Sequence, residues 1–419
     1  MKVALITQPY DGILSPNQNS IGLIAYNTAI EMGRKIDVTL YGRKKLGTVT
    51  SNSLPFNVSF VSSGIDDALH YAATHYPRWA DRLGIPAIAD GYPGYARSIA
   101  KELGRSDYDV VHVMNYWSWC RRFNGQARKR RVVLEMQAEW LSQMDEKQVG
   151  SQLETIDAVI AVSDHIARLF RASFPAYHGS VVTAYNGVNV DDFQPVPDQD
   201  NRHDEVLPIL FVGRVSPEKG IHTLIEAFAQ VESRVEQARL IIVGGRSTLR
   251  EDFIVSISSD PLVKALARFY NGSISSDYQQ YLDNLVNRLN LSNKVRFIGR
   301  LPHNKLLDWY RSASVVVNPS LSESFGISVV ESMACGIPVV GTRVGGMLET
   351  ILHDETGLLV EPEQPDLLAE AIMSVLNDPK TARQMGAKGR NRAIEHFSWR
   401  ARVDRLLSAY QMVLDRGHA

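Results

Sequence analysis

Two cations stand on a short loop between an apolar run and a predicted helix. Arg214 and Lys219 follow the run Leu207–Val212, and Gly213 allows a sharp turn directly after that run. Positive side chains near a helix N-terminus suit a phosphate or a diphosphate, because the unpaired N–H groups and the helix dipole add to their charge. The spacing leaves open the alternative of two solvated loop cations.

Two carboxylates, Glu323 and Glu331, stand eight residues apart after a second apolar run. A helix is predicted from Gly326 to Ala334, which places Glu323 on the loop before it and Glu331 inside it. Backbone N–H groups at the helix start would be unpaired and able to hold a phosphate. One carboxylate can accept hydrogen bonds from sugar hydroxyls and the other from a ribose, with a surface ion pair as the alternative.

The first half of the chain adds two candidate positions. Gly22 lies at the start of a predicted helix after a long polar loop, where the backbone can approach an anion closely. His112 lies in the apolar run Val110–Val113 and is followed by Asn115 and two aromatic residues, which suits an acceptor pocket. A buried, hydrogen-bonded histidine among core aromatics is the alternative for His112.

Several common site types are missing from the sequence. It contains neither G-x-G-x-x-G nor G-x-x-x-x-G-K-[ST], so no dinucleotide fingerprint and no P-loop is expected. Asp198 and Asp200 match an Asp-x-Asp metal signature in form, but no strand precedes them, and no catalytic metal or other cofactor is expected. The basic stretch Arg121–Arg131 is interpreted as a solvated face, with a peripheral contact to anionic lipid as the alternative.

These candidate residues need a scaffold that brings loops together after strands. Apolar runs alternate with helix-length segments, then the pattern restarts after the polar stretch 194–208, which is interpreted as a linker. The expected fold is α/β, with two doubly wound, Rossmann-like domains at 1–190 and 191–397 and a final helix, 398–419, added to the first. Ligands of such sheets bind at the carboxyl ends of strands, here facing a cleft between the domains.

Length and composition agree with this organisation. The chain has 419 residues, a net charge of −1 and two cysteines, which argues against nucleic acid as a partner and against a disulfide framework. No stretch of about 18 apolar residues and no signal-peptide core occurs, so a cytoplasmic protein is expected, at most peripheral at a membrane.

Four motifs together resemble the family 4 glycosyltransferases, which have the GT-B fold and use nucleotide-sugar donors. The resemblance is nearly continuous from about residue 158 to 360 and weaker in the first half. Its motifs are Phe-Val-Gly-Arg with Lys-Gly in 211–220, Asn186-Gly187-Val188, Glu323-x7-Glu331, and Gly336-Ile-Pro-Val-Val with Gly345-Gly346.

The resemblance implies a retaining transfer of a sugar, without a metal, from a nucleotide diphosphate to a hydroxyl acceptor. It implies that Arg214 and Lys219 neutralise the diphosphate, that Glu331 binds the ribose, and that Glu323 holds the transferred sugar. It also implies a front-face mechanism and a tail helix containing Trp399 that returns to the first domain. The implied catalytic residues are Arg214, Lys219, Glu323 and His112, and the donor-binding residues add Gly22, Gly213, Arg300, Phe325, Gly326, Ile327 and Glu331.

The chain departs from the family at the expected acceptor side. Met114 and Gln137 stand where members often have histidine, and Gly22 stands where a Gly-Gly pair is usual. Asn115, Gln137 and Ser163 are the acceptor-side candidates. A UDP-sugar is favoured as the donor by family frequency, and a nucleotide-sugar 2-epimerase or a two-lobed sugar-binding protein is the alternative function.

Overall fold

The computed structural model divides into two compact units. It describes residues 1–14, 18–44, 54–76, 82–85, 91–124, 130–196, 206–246, 251, 254–256, 258, 260–270 and 276–416. Unit 1 comprises the described residues of Met1–Val162 and Ala167–Gly187 together with those from Arg402 onward, and unit 2 comprises Ser163–Ile166 and Val188–Ala401. The division after Gly187 precedes the predicted linker, of which residues 197–205, with Asp198 and Asp200, lie outside the described part.

Unit 1 is built on a seven-stranded sheet in which every pairing is parallel. The strands are short and largely buried, as expected when helices cover both faces of a sheet. In sequence order they are β1 (Lys2–Ile6), β2 (Asp37–Arg43), β3 (Asn57–Val61), β4 (Val110–Met114), β5 (Arg131–Met136), β6 (Ala158–Ala161) and β7 (Ser180–Thr183).

Unit 2 is built on a six-stranded sheet that is also parallel throughout. Its first strand has the bounds predicted from the sequence. The strands are β8 (Leu207–Val212), β9 (Ala238–Val243), β10 (Val295–Gly299), β11 (Val315–Asn318), β12 (Val339–Thr342) and β13 (Leu358–Val360).

Each sheet reverses its strand order once, and these reversals fix where a ligand can approach. The orders are β3-β2-β1-β4-β5-β6-β7 and β10-β9-β8-β11-β12-β13, so the reversals lie between β1 and β4 and between β8 and β11. Loops leave the neighbouring strands in opposite directions there and open a crevice at the carboxyl ends. The predicted α/β fold with two doubly wound sheets is confirmed.

Helices connect the strands in both units. Unit 1 holds helices Ser20–Gly33, Gly64–His75, Pro93–Leu103, Cys120–Phe123 and Glu146–Leu153, most of helix Asp164–Ser173, and most of the tail helix Trp399–Asp415. The helices of unit 2 are Ile221–Glu232, Pro261–Lys264, Ser276–Arg288, Leu306–Ser312, Ile327–Ala334, Met347–Thr350, Pro365–Asn377 and Pro379–His396.

Both cysteines, Cys120 and Cys335, are buried and free. Among the described residues, no helix is long and apolar enough to cross a bilayer. Residues 125–129 of the basic stretch Arg121–Arg131 lie outside the described part, so a lipid contact there stays a prediction.

Candidate functional site

The loop that follows β8 is shaped by glycine. A one-turn 3-10 helix, Pro217–Lys219, ends at Gly220, whose φ of +64° is left-handed. A Cβ atom on Gly220 would lie 2.0 Å from the carbonyl oxygen of Pro319, so no other residue fits without displacement. The N–H of Leu321 donates to the carbonyl of Glu218 at 2.8 Å. The loops after β8 and β11 are therefore joined at the reversal of the sheet.

The two loops bring Lys219 and Glu323 into direct contact. The Lys219 Nζ donates to Glu323 Oε2 at 2.8 Å, and the two side chains are only 19% and 16% exposed. Asn318, the last residue of β11, donates to the same oxygen at 3.4 Å. Burial alone would raise the pKa of the Glu323 carboxyl, but the charge and hydrogen bond of Lys219, with Asn318 and the Phe325 backbone, hold it below its usual value. Glu323 is thus kept as an anion, able to accept from a sugar hydroxyl.

Arg214 is held by a residue that the sequence analysis missed. Its Nη2 donates to Glu218 Oε1 at 2.9 Å, and its Nε donates to Ser216 Oγ at 3.2 Å. Glu218 is buried, and its second oxygen, Oε2, has no hydrogen-bond partner among the described residues. The position of Glu218 between Arg214 and Lys219 in the sequence is a signal that could have predicted this ion pair. A buried carboxylate usually has a cationic partner, and two cations stand close to it in the chain.

The helix Ile327–Ala334 starts as predicted. Gly326 is its N-cap, with φ of +91°, and its carbonyl accepts from Val329 and Val330. The N–H groups of Ile327 and Ser328 have no hydrogen-bond partner in the part of the chain that the structure describes. They are the orphan donors that every helix start leaves, and they suit a phosphate or a sugar oxygen.

Glu331 is buried within that helix and already has two partners. His303 Nε2 lies 2.5 Å from Oε1, and the Tyr310 hydroxyl donates to Oε2 at 2.6 Å. Burial alone would lower the pKa of His303, but the hydrogen bond and charge of Glu331, with Asp192, raise it. A ribose would therefore meet a carboxylate whose orientation is fixed before the ligand arrives.

A glycine pair holds the Glu323 backbone in place. The N–H of Gly346 donates to the Glu323 carbonyl at 2.9 Å. A Cβ atom on Gly345 would lie 2.1 Å from that carbonyl, and one on Gly346 would lie 2.2 Å from the carbonyl of Ser324. The Gly345-Gly346 motif is therefore explained by close backbone packing beneath Glu323.

Three further residues were predicted to bind the donor, and their roles stay predictions. Arg300 is exposed directly after β10, which β9 separates from β8. Gly22 belongs to unit 1, where its N–H donates to Asn19 Oδ1 at 2.9 Å and a Cβ atom would lie 2.1 Å from the Gly12 carbonyl. Gly213 follows β8 as predicted, and its N–H donates to the carbonyl of Val243. The contacts of Gly22 explain the glycine without a ligand.

His112 is fully buried in unit 1 within a network of charged and polar side chains. Its Nδ1 lies 2.5 Å from the Tyr410 hydroxyl, and its Nε2 lies 3.0 Å from Glu135 Oε2. Arg402 donates to both oxygens of Glu135, at 2.8 and 2.7 Å. Burial alone would raise the pKa of Glu135, but Arg402 and His112 lower it to about 2. The catalytic role of His112 stays a prediction, and its burial favours the alternative of a hydrogen-bonded core histidine.

Two of the three acceptor-side candidates lie together after β4 and β5. The N–H of Gln137 donates to Asn115 Oδ1 at 3.0 Å, and the Gln137 side chain exchanges hydrogen bonds with Asn186 at 2.7 and 3.1 Å. Ser163 is buried, and its Oγ accepts from the N–H of Ile166 at 3.3 Å at the start of a helix. Ser163 thus has a capping contact, and its acceptor role stays a prediction.

No group of three histidine, cysteine or acidic residues that could hold a metal ion occurs among the described residues. The expectation of a metal-independent site stays a prediction, because a substrate phosphate can itself supply metal ligands.

Two family models match the chain, one on each half. The model described as "Glycosyl transferases group 1" matches residues 194–392, and the model described as "Glycosyltransferase Family 4" matches residues 52–192. A curated relative, the D-inositol 3-phosphate glycosyltransferase 1 of Catenulispora acidiphila, is 30% identical over 367 residues. That alignment covers 81% of this chain and 80% of the relative.

Solved structures share the fold. The sucrose-phosphate synthase of Thermosynechococcus elongatus superposes with a TM-score of 0.72 and 22% identity, covering 99% of this chain and 100% of that chain. Anabaena HepE, in a structure titled as a complex with UDP-glucose, superposes with a TM-score of 0.66 and 16% identity, covering 100% of both chains. At these identities the likeness concerns the arrangement of the strands and helices.

Proposed function

Since the chain belongs to the family 4 glycosyltransferases of GT-B fold, and is therefore an enzyme, we propose that unit 2 binds the donor, a nucleotide diphosphate sugar. The proposed reaction moves the sugar to a hydroxyl of an acceptor with retention of configuration and without a metal. The observation that carries the proposal is the Lys219–Glu323 pair, which lies with Arg214 at the reversal of the unit 2 sheet.

The two cations stabilise the leaving group in this proposal. When the bond between the sugar and the diphosphate breaks, negative charge grows on the departing phosphate, and Arg214 and Lys219 offset it. Glu323 accepts from a hydroxyl of the sugar, while the N–H groups of Ile327 and Ser328 donate to the phosphate. Glu331, oriented by His303 and Tyr310, accepts from the ribose.

Retention follows from a front-face attack, in which the acceptor hydroxyl approaches from the side that the diphosphate leaves. The leaving phosphate takes the proton, so the mechanism needs no separate base. The fully buried position of His112 supports this proposal, because it offers no base to the substrate.

The donor base and the acceptor are the finer parts of the proposal. We favour a UDP-sugar, as members of this family most often use one, and the HepE structure is titled as a UDP-glucose complex. The name of the Catenulispora acidiphila relative specifies D-inositol 3-phosphate, which makes a phosphorylated cyclitol one acceptor to test.

Nucleotide release from UDP-, GDP- and ADP-sugars, with and without candidate acceptors, tests the proposal. Release should require one donor, persist in EDTA, and fall sharply when Glu331 is replaced by Ala. Product NMR should show the anomeric configuration of the donor, and an inverted product would refute the front-face step.

The same experiment separates the alternative functions. Rapid donor turnover without any acceptor would indicate a 2-epimerase. Tight sugar binding with no nucleotide release from any donor would indicate a sugar-binding protein.

A further inference from the structure

Three tyrosines of unit 1 form an aromatic cluster that the donor half of the proposal leaves unused. The cluster consists of Tyr10, Tyr92 and Tyr116, whose ring centroids lie 6.2 to 6.5 Å from one another. Tyr116 also stacks on the buried ring of Trp119, at 4.0 Å between centroids and 19° between planes, which holds its face in one orientation. Three side chains remote in sequence thus form one aromatic cluster, in which the ring planes are inclined at 56° to 84° to one another.

The cluster lies where a parallel sheet opens to a ligand. Tyr10 is on the loop after β1, and Tyr116 is on the loop after β4. These two strands flank the reversal of the unit 1 sheet, so the cluster stands at the crevice where such sheets bind their ligands. The cluster thus lies at the reversal of the unit 1 sheet, as the Lys219–Glu323 pair lies at the reversal of the unit 2 sheet.

The backbone is strained at the cluster. Tyr92 has φ of +46° and Asn115, directly before Tyr116, has φ of +62°, both in the left-handed region. Asparagine adopts this region readily, whereas a bulky residue such as tyrosine does so rarely, so the strain lies at Tyr92. Strain of this kind persists where the surroundings hold a side chain in a functional orientation.

Neutral amides line the base of the cluster. The Tyr10 hydroxyl donates to Gln8 Oε1 at 2.8 Å, and Asn115 Nδ2 donates to the same oxygen at 3.2 Å. The N–H of Gln137, directly after β5, donates to Asn115 Oδ1. Amides and phenols are the groups that exchange hydrogen bonds with hydroxyls without requiring a charge on the ligand.

The surroundings of the cluster are unsuited to an anion. The helix Pro93–Leu103 begins beside Tyr92, but the buried Asp66 carboxylate already accepts from its first N–H groups, Gly94 at 2.8 Å and Tyr95 at 2.7 Å. The guanidinium of Arg43 lies 5.7 Å from the Tyr92 ring but pairs with Asp67. A phosphate at the cluster would therefore meet two carboxylates, a cation that is already paired, and the ring of His70, 4.7 Å from that of Tyr92.

A third carboxylate, on the loop after β1, makes the surroundings of the cluster still less suited to an anion. Asp11 is buried one residue after Tyr10 and accepts from the N–H of Gln8 at 3.0 Å and from Asn19 Nδ2 at 2.8 Å. Burial and the charge of Asp11 raise the pKa of Tyr10 to about 12, so this phenol stays neutral. An uncharged sugar ring with several hydroxyls can pack on the tyrosine rings and is not repelled by the nearby carboxylates.

We infer that the aromatic cluster is the acceptor subsite and that it binds an uncharged sugar ring, stacked by its apolar C–H face on the tyrosines. The inference rests on the proposed function, since it names the class of acceptor for that reaction. The ring faces supply the contact area, and the phenol hydroxyls of the cluster exchange hydrogen bonds with the hydroxyls of the sugar. The buried amides of Gln8 and Asn115 hold the loops that carry Tyr10 and Tyr116. The chemistry disfavours a phosphorylated sugar or cyclitol as the group bound here.

Saturation-transfer NMR of the full chain with methyl glycosides tests the subsite without any turnover. Saturation should reach the C–H protons of one face of the sugar ring and be weaker for glucose 6-phosphate and for an inositol phosphate. The variant Tyr10→Leu should weaken binding by about tenfold, whereas Tyr10→Phe should keep it, because the ring rather than the hydroxyl supplies the contact.

A matched control is the variant Tyr76→Ala, since Tyr76 is 59% exposed, against 49% for Tyr10, and lies outside the cluster. It should leave glycoside binding unchanged. Failure of every uncharged glycoside to bind, preference for the phosphorylated compounds, or equal loss with Tyr76→Ala would overturn the inference. Nucleotide release from the donor, measured separately, shows whether the proposed function survives such a result.

Discussion

At the scale of single residues, the candidate donor site is a set of charges that neutralise one another until a ligand arrives. Lys219 is paired with Glu323, Arg214 with Glu218, and His303 with Glu331. A diphosphate must share the cations with these carboxylates. Each carboxylate therefore orients its cation and also lowers the affinity of that cation for the diphosphate. The site can therefore select a ligand that satisfies the cation and the carboxylate together, as a nucleotide sugar does.

Replacing Lys219 by Met should lower kcat for nucleotide release by about 100- to 1000-fold, because the proposed reaction then loses one charge that stabilises the leaving phosphate. Steady-state kinetics with the preferred donor measures the effect. Lys294→Met is the matched control, since Lys294 pairs with Glu232 at 2.9 Å in the same unit, at 20% and 28% exposure. A loss of kcat in the control as large as that in Lys219→Met would contradict the assigned role.

Replacing Glu331 by Gln should lower the pKa of His303, because the hydrogen bond and charge that raise it are removed while burial remains. A raised folded pKa means that the pair contributes stability below the ordinary histidine value of 6.5. That contribution is lost as the pH rises through the folded value. An NMR titration of the His303 ring in both proteins measures the shift, and an unchanged pKa would show that Glu331 is not its main partner.

At the scale of elements, the turns after strands decide the geometry of the site. Gly220 and Gly326 both adopt left-handed φ values at the starts of helices, and both stand next to residues of the site. Their role is to bring the Lys219 loop and the Phe325 backbone close to their neighbours.

Replacing Gly220 by Ala should destabilise unit 2 by more than the 1–2 kcal/mol expected for a left-handed alanine, because its Cβ also meets the Pro319 carbonyl. It should also lower kcat, since the Lys219 loop must move. The variant Gly299→Ala separates the cost of the left-handed backbone from the cost of the steric clash. Gly299 has φ of +84°, but a Cβ atom there would have open space around it. Urea unfolding measures the free energy of unfolding of both variants. Equal losses would show that the clash with the Pro319 carbonyl adds nothing to the cost of the left-handed backbone.

The sequence predicts elements well where the residues themselves carry the signal. The apolar runs predict β8 with its observed bounds, and the position of Gly326 predicts the start of the helix that carries Glu331. The Lys219–Glu323 contact joins residues more than a hundred positions apart. The family resemblance implied that both residues bind the donor, but the ion pair between them was not predicted. The partners Glu218, His303 and Tyr310 were missed, because a buried charge is recognised only once the fold shows what surrounds it.

At the scale of the whole molecule, the tail helix at the end of the described chain contributes a buried arginine to unit 1. Arg402, on the tail helix, donates to Glu135 of β5 and also to the Thr28 hydroxyl at 2.9 Å. All these groups are buried, so the last helix supplies the countercharge for a carboxylate in the middle of the sheet.

Replacing Arg402 by Met should destabilise unit 1 by about 3–5 kcal/mol, because Glu135 is left as an unpaired buried charge. Hydrogen exchange of the β5 amides measures this within unit 1 alone. Arg400→Met, on the exposed side of the same helix, should change little. The double variant with Glu135→Leu should recover much of the loss, and a double variant as unstable as the single one would refute the ion-pair explanation.

The pKa of Glu135, about 2 in the folded chain against a model-peptide value of 4.5, fixes the pH range in which this pair matters. A lowered folded pKa means that the ionised carboxylate stabilises unit 1 above pH 4.5. The stabilisation is lost as the pH falls towards 2. The double variant should therefore show a shallower acid dependence than the natural chain in the same exchange experiment.

The return of the chain to unit 1 sets an order in time for synthesis on the ribosome. Unit 1 is begun first, yet it receives Arg402 only after every strand of unit 2 has been translated. Until then the nascent sheet holds Glu135 without its countercharge, whereas unit 2 already has all of its described strands. A chain truncated shortly before Arg402 would therefore have a second half that can fold and a first half that lacks a partner for Glu135.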